Sequence, residues 1–242
     1  MMANKSDSKA LDRLVEDLRA AHGDNLASIV LYGSVAAGDD DGQRADHNLL
    51  IALKRIRSDD LRVAHKALRS WLKLGEPMPV YFTVEELKRA ADVFPIEFLQ
   101  MEKARKVLVG HDPLSLVEIS RENLRHQTEY ELRTRLTQLR RLYVPASNSV
   151  ERLLALMTDS LASFAALFRA ALILNGEEPP VTKAATVRAI VSLYKLDGFP
   201  FDEILELGKK TTSTMTEDEA NEVFSAYLVQ IERVIQAVDR IE

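Results

Sequence analysis

The sequence contains no cysteine, which excludes disulfides and thiolate metal sites and agrees with a reducing, cytoplasmic setting. It also lacks any uncharged apolar run of about eighteen residues, the least that a spanning helix needs. Met1 to Asp7 carry no apolar stretch of the signal-peptide kind. Membrane spanning and secretion are therefore both disfavoured. Excess basic charge is missing as well: 32 Lys and Arg stand against 37 Asp and Glu, for a net charge of −5. A strong non-specific hold on nucleic acid is thus disfavoured, although a local basic patch remains compatible with it. No internal repeat, heptad seam or low-complexity tract interrupts the chain.

What is present is a chain of 242 residues, 46% hydrophobic and 29% charged, long enough for one large domain or two small ones. Ser8 to Ala21 place Leu11, Leu14, Val15 and Leu18 at helical spacing, and the helix closes near Gly23. Leu26 to Tyr32 form a near-continuous apolar run, the mark of a strand buried on both faces. Asn48 to Leu53 form a second such strand, Asp59 to Leu74 a helix with Leu61, Ala64, Leu68, Trp71 and Leu72 inward, and Val80 to Val84 a third strand. Glu85 to Ala91 begin a further helix. After Pro95 comes a short apolar segment, and Val107 to Pro113 read as a strand closed by a turn.

Beyond that point the strand signal disappears. Leu114–Val144, Ser149–Leu174, Thr182–Leu196, Phe201–Lys210 and Thr216–Ile241 carry helical periodicity, with breaks at Pro145, at Gly176 to Pro180 and at Asp197 to Pro200. The expected fold class is α+β: a small mixed-sheet domain over residues 1–113, followed by a helical bundle over residues 114–242. The bundle is apolar enough to leave room for a homodimer.

The first two strands flank the most informative stretch. Tyr32-Gly33-Ser34 ends the first, a loop with Gly38 and the acidic Asp39, Asp40 and Asp41 follows, and Asp46-His47-Asn48 opens the second. Small residues in such a turn let backbone N–H groups approach phosphate oxygens, and Gly33, Ser34 and Gly38 suit that task. Asp46 and Asn48, two residues apart in an extended segment, would share one face, and His47 would point the other way as a packed or solvated histidine. Taken alone, Gly33-Ser34 is also compatible with a simple strand-ending turn, and the acidic loop with a solvated one.

Gly-Ser followed about a dozen residues later by Asp-x-Asn resembles the signature of the nucleotidyltransferase superfamily, in which the second element is Asp-x-Asp or Asp-x-Glu. The alternation of a small α/β domain with a helical bundle is similar to that of the aminoglycoside nucleotidyltransferases and related bacterial proteins. The resemblance implies transfer of a nucleoside monophosphate from a triphosphate to a hydroxyl or phosphate of a small molecule, protein or RNA, with Mg²⁺. It places Asp46 at the first metal-binding carboxylate and Asn48 at the second. Register places Val80 at the third, on a strand running into a Thr83-x-Glu85-Glu86 helix start. An amide offers a cation one neutral oxygen, and valine offers none.

The expectation is therefore a pseudoenzyme of this fold that acts as a nucleotide- or partner-binding module. The alternatives are an active magnesium-dependent enzyme that recruits Asp41 or Glu76, and a structural or dimerising protein without nucleotide. Glu85 and Glu86 read more naturally as helix N-terminal acids. Arg121 and His126 have the R-x4-H spacing of the ribonuclease-type domains that accompany minimal nucleotidyltransferases. The basic run through Arg125, Arg133, Arg135, Arg140 and Arg141 is either a phosphate-bridging surface or a helix face paired with Glu129 and Glu131.

Overall fold

A computed structural model describes residues 5–37, 46–115, 117–180, 182–208 and 215–241. The chain forms two compact units, Met1–Ser120 and Arg121–Glu242.

The first unit is built on a four-stranded sheet of β1 (Leu26–Tyr32), β2 (Asn48–Leu53), β3 (Val80–Thr83) and β4 (Arg105–Gly110), in the order β3-β2-β1-β4. β1 is antiparallel to β2 and β4, and β2 is parallel to β3. The apolar runs of β1 and β2 are covered on both faces, as a near-continuous hydrophobic strand requires. Ile29, Leu31, Leu49 and Ile51 pack against Leu14 and Leu18 of α1 (Lys5–His22) and against Leu68 and Trp71. Val30, Leu50 and Ala52 face Leu87, Phe98, Met101 and Leu114. Alternation along the pleat thus sorts successive residues into two cores.

Three expectations are corrected here. The helix anticipated from Asp59 to Leu74 is two helices, α3 (Ser58–Arg62) and α4 (His65–Lys73), after α2 (Ser34–Ala37). The apolar stripe is consequently split: Ala64, Leu68 and Trp71 are buried, whereas Leu61 and Leu72 are 42% and 40% exposed. The segment after Pro95 is a helix with proline in its first turn, α6 (Pro95–Lys103), preceded by α5 (Val84–Arg89). Lastly, residues 114–120 belong to the first unit. Leu114 is buried in the second core with Val117 and Ile119 packed against it, and its N–H donates to Asp112 Oδ1 at 3.0 Å. The helix expected from Leu114 accordingly begins only at Arg121, after the first unit ends at Ser120.

The second unit comprises α7 (Arg121–Ala146), α8 (Val150–Leu174), α9 (Lys183–Tyr194), α10 (Phe199–Leu207) and α11 (Glu217–Asp239). Its core joins Phe164 and Phe168 of α8, Phe201 of α10 and Tyr227 of α11, with ring centroids 5.8 to 6.3 Å apart and mostly edge to face. Pro145 does not break α7 where expected. It sits in the last turn, and the helix continues through Ala146. By length and composition α8 could cross a membrane, but half of its most apolar window is buried inside the fold, where Leu161, Phe164 and Phe168 form the bundle core.

Candidate functional site

Gly33 and Asn48 lie at one end of the first sheet. Tyr32 at the end of β1 pairs with Asn48 at the start of β2 and with Arg105 at the start of β4. Directly opposed residues share a face, so Arg105, Tyr32 and Asn48 form a row across three strands. Gly33 follows with φ +86°, a conformation that glycine adopts without strain. A Cβ there would lie 3.2 Å from Asn48 Nδ2, so the glycine also allows the turn to pass close to the amide. Its own N–H is used, donating to the Ala104 carbonyl at 3.0 Å. α2 begins at the next residue, Ser34. Gly38, Asp39, Asp40 and Asp41 lie outside the described residues.

Asp46 is exposed and precedes the strand, which starts at Asn48. His47 is packed: its ring meets Trp71 edge to face at 5.8 Å, and both its backbone N–H and Nδ1 approach Glu76 Oε2, at 3.0 and 3.3 Å. This pairing buries Glu76, leaving its side chain 5% exposed. Glu76 thus serves His47, not Asn48, which alternates to the other face.

Val80 stands beside Leu50 in the parallel register and packs into the apolar cluster of Val30, Leu50 and Ala52. Thr83 and Glu86 form a reciprocal cap on α5, with Thr83 N–H donating to Glu86 Oε2 at 2.6 Å and Glu86 N–H to Thr83 Oγ1 at 3.0 Å. Glu85 pairs with Arg89 at 2.9 Å. Among the described residues no group of three His, Asp or Glu is placed to hold a metal ion. A two-metal clamp needs several carboxylate oxygens. One exposed carboxylate, one amide and one valine do not fit it.

Sequence reasoning passed over Arg105, which stands beside Tyr32. Arg105 Nε and Nη2 both reach Asp112 Oδ2 at 2.8 Å, and Nη1 donates to the Glu102 carbonyl at 3.0 Å, so the cation next to Tyr32 is held and neutralised locally. Burial pushes the Tyr32 phenol above its ordinary value. The helical unit gives the basic run its ordinary use: Arg125 and Arg133 bracket Glu129 at 3.2 and 2.7 Å, Arg135 reaches Glu131, and Arg140 reaches Glu232. The Arg133 hydrogen bond holds the Glu129 carboxyl below its usual range. Arg121 Nη2 donates to the Leu174 carbonyl at the end of α8, and His126 is exposed.

No protein-family model matches the chain, and no curated protein matches it significantly. Among solved structures, the spectinomycin adenyltransferase of Enterococcus faecialis, determined with ATP and spectinomycin, superposes with a TM-score of 0.57 at 13% sequence identity. The match covers 94% of this chain and 98% of that one. The two proteins share a fold. At this identity the likeness speaks for architecture alone, and the residues at the sheet end have to carry any statement about chemistry.

Proposed function

We propose that the protein is a nucleotide-binding module on the nucleotidyltransferase fold, with the transfer reaction lost or strongly weakened. The observation that carries this reading is the pairing of Asn48 with the turn at Gly33, while Val80 packs, partly buried, against apolar side chains where the resemblance expects a carboxylate. The turn still lets backbone amides approach a triphosphate. The carboxylates that would stabilise charge in the transition state are replaced. Removing one such electrostatic group commonly costs about 10²–10³ in rate, and two replacements multiply that cost.

ATP, the nucleotide in the fold neighbour's structure, is the first ligand to test. Calorimetric titration is expected to give saturable ATP binding that Gly33→Val abolishes. An assay of pyrophosphate release, with spectinomycin as trial acceptor, is expected to stay at background. Absence of ATP binding would remove the binding half of the proposal, and robust pyrophosphate release would remove the other.

A further inference from the structure

The face of the first sheet opposite Asn48 carries a second concave surface. Leu61, Val63, Leu72, Leu74 and Met78 are each between 40% and 58% exposed, and all lie in α3, its junction with α4, α4 itself or the approach to β3. Leu61, Leu72 and Met78 line an open groove of about 580 Å³, together with Leu68 and the ring of Tyr81. Leu68 and Tyr81 belong to the core on the Leu49 and Ile51 side, so the groove is separated from Asn48 by the sheet itself.

The charge lining this groove is of one sign. Arg62 and Arg69 contribute, with His65 as a third titratable base, and no carboxylate lines it among the described residues. Arg62 already holds Asp59 at 2.9 Å, whereas Arg69 has no ion-pair partner among the described residues. On a chain of net charge −5, such a cationic rim around an apolar floor selects for anions with apolar bodies.

Size narrows the choice. The lining helices have five and nine residues, which gives a trough about 14 Å long at the helical rise. That accommodates a fused-ring system or a short alkyl tail better than a multi-turn partner helix. The volume falls in the range of small-molecule sites, about 300–1,000 Å³.

We propose that this groove binds an amphiphilic organic anion. Its apolar body lies on Leu61, Leu68, Leu72 and Met78, and its charged head is met by Arg69 at the rim. The test uses 1-anilinonaphthalene-8-sulfonate and its uncharged counterpart N-phenyl-1-naphthylamine. Trp71, the sole tryptophan, lies on α4 and reports proximity by energy transfer. The sulfonate is expected to bind at one saturable site with Trp71-sensitised emission, about tenfold or more tighter than the uncharged amine. Leu72→Asp and Arg69→Glu should each weaken it about tenfold, and Arg69→Lys less than about threefold, with unchanged melting curves because both positions are surface-exposed.

Equal affinity for the two probes would overturn the assignment of the head group, and retention of sulfonate binding in Leu72→Asp and Arg69→Glu would overturn the site. A dimer in sedimentation that Leu72→Asp converts to monomer would show that a second copy covers the groove, and the proposal would fall.

Discussion

The turn after β1 and the strand β3 flank β2 from opposite sides, and they differ in what they offer a ligand. On the β1 side, Gly33 turns the chain with positive φ and brings it within reach of the Asn48 amide. On the β3 side, Val80 extends the apolar core that Leu50 and Phe98 form beneath the sheet. In the proposed reading the first flank is the one suited to phosphate. The other is part of the packing. A binding site and a catalytic site make different demands of the same scaffold: a phosphate cradle is a property of backbone conformation, whereas a metal clamp requires particular side chains.

The strongest way to break this comparison is to place a carboxylate on β3. Val80→Asp should destabilise the protein by about 3 kcal/mol in urea unfolding, because it replaces core contacts with a partly buried acid. A neutral effect would mean that the strand still accommodates a metal ligand. Next in size is Gly33→Val, expected to cost about 2 kcal/mol because a β-branched residue is forced to positive φ. It should also remove nucleotide binding. Unchanged stability would show that the turn can relax without glycine.

The anchoring of His47 by Glu76 sets a smaller expectation. Glu76→Gln should cost about 1–2 kcal/mol, since a buried charged acceptor is replaced by a neutral one. It should leave nucleotide affinity unaltered, because Glu76 lies on the far side of β2. Loss of affinity would put Glu76 back among the site residues.

The smallest effect concerns His22 at the end of α1. Its ring is buried, packs edge to face on Tyr81 at 5.8 Å, and has no hydrogen-bond partner among the described residues. Burial pushes its pKa below 6.5, opposed in part by the charge of Asp60, and pushes the Tyr81 phenol up to about 12. Because the unfolded chain binds this proton more readily, the stabilisation from neutral His22 is fully present above pH 6.5 and is lost as pH falls below it. Thermal melting in that acidic range should therefore be less pH-dependent in His22→Phe than in the wild type.

The strands and the candidate turn were legible because their signals are local. β1 and β2 are near-continuous apolar runs, and their pairing sets Tyr32, the neighbour of Gly33, opposite Asn48. The second unit was legible for the same reason, since its caps at Ser149, Thr182 and Thr216 sit at the starts of the periodic runs. Other features depend on contacts between distant residues. The Glu76 partner of His47 is separated from it by 29 positions, and no spacing rule connects them. The periodicity from Leu61 to Leu72 runs through the junction at Val63 and Ala64, where neither glycine nor proline marks the break. Leu114, Val117 and Ile119 carry a helix-like spacing, yet they are drawn onto the sheet by burial. Tertiary packing overrode the local pattern there.

The central claim is that this fold holds a nucleotide through its backbone turn and not through a metal clamp. Its most direct test is ATP affinity measured with magnesium and with EDTA, in the wild type and in Asn48→Asp. The account predicts that wild-type affinity changes by less than about threefold on removing magnesium, while Asn48→Asp acquires a clear magnesium dependence. A wild-type affinity that collapses by about a hundredfold or more in EDTA would contradict it.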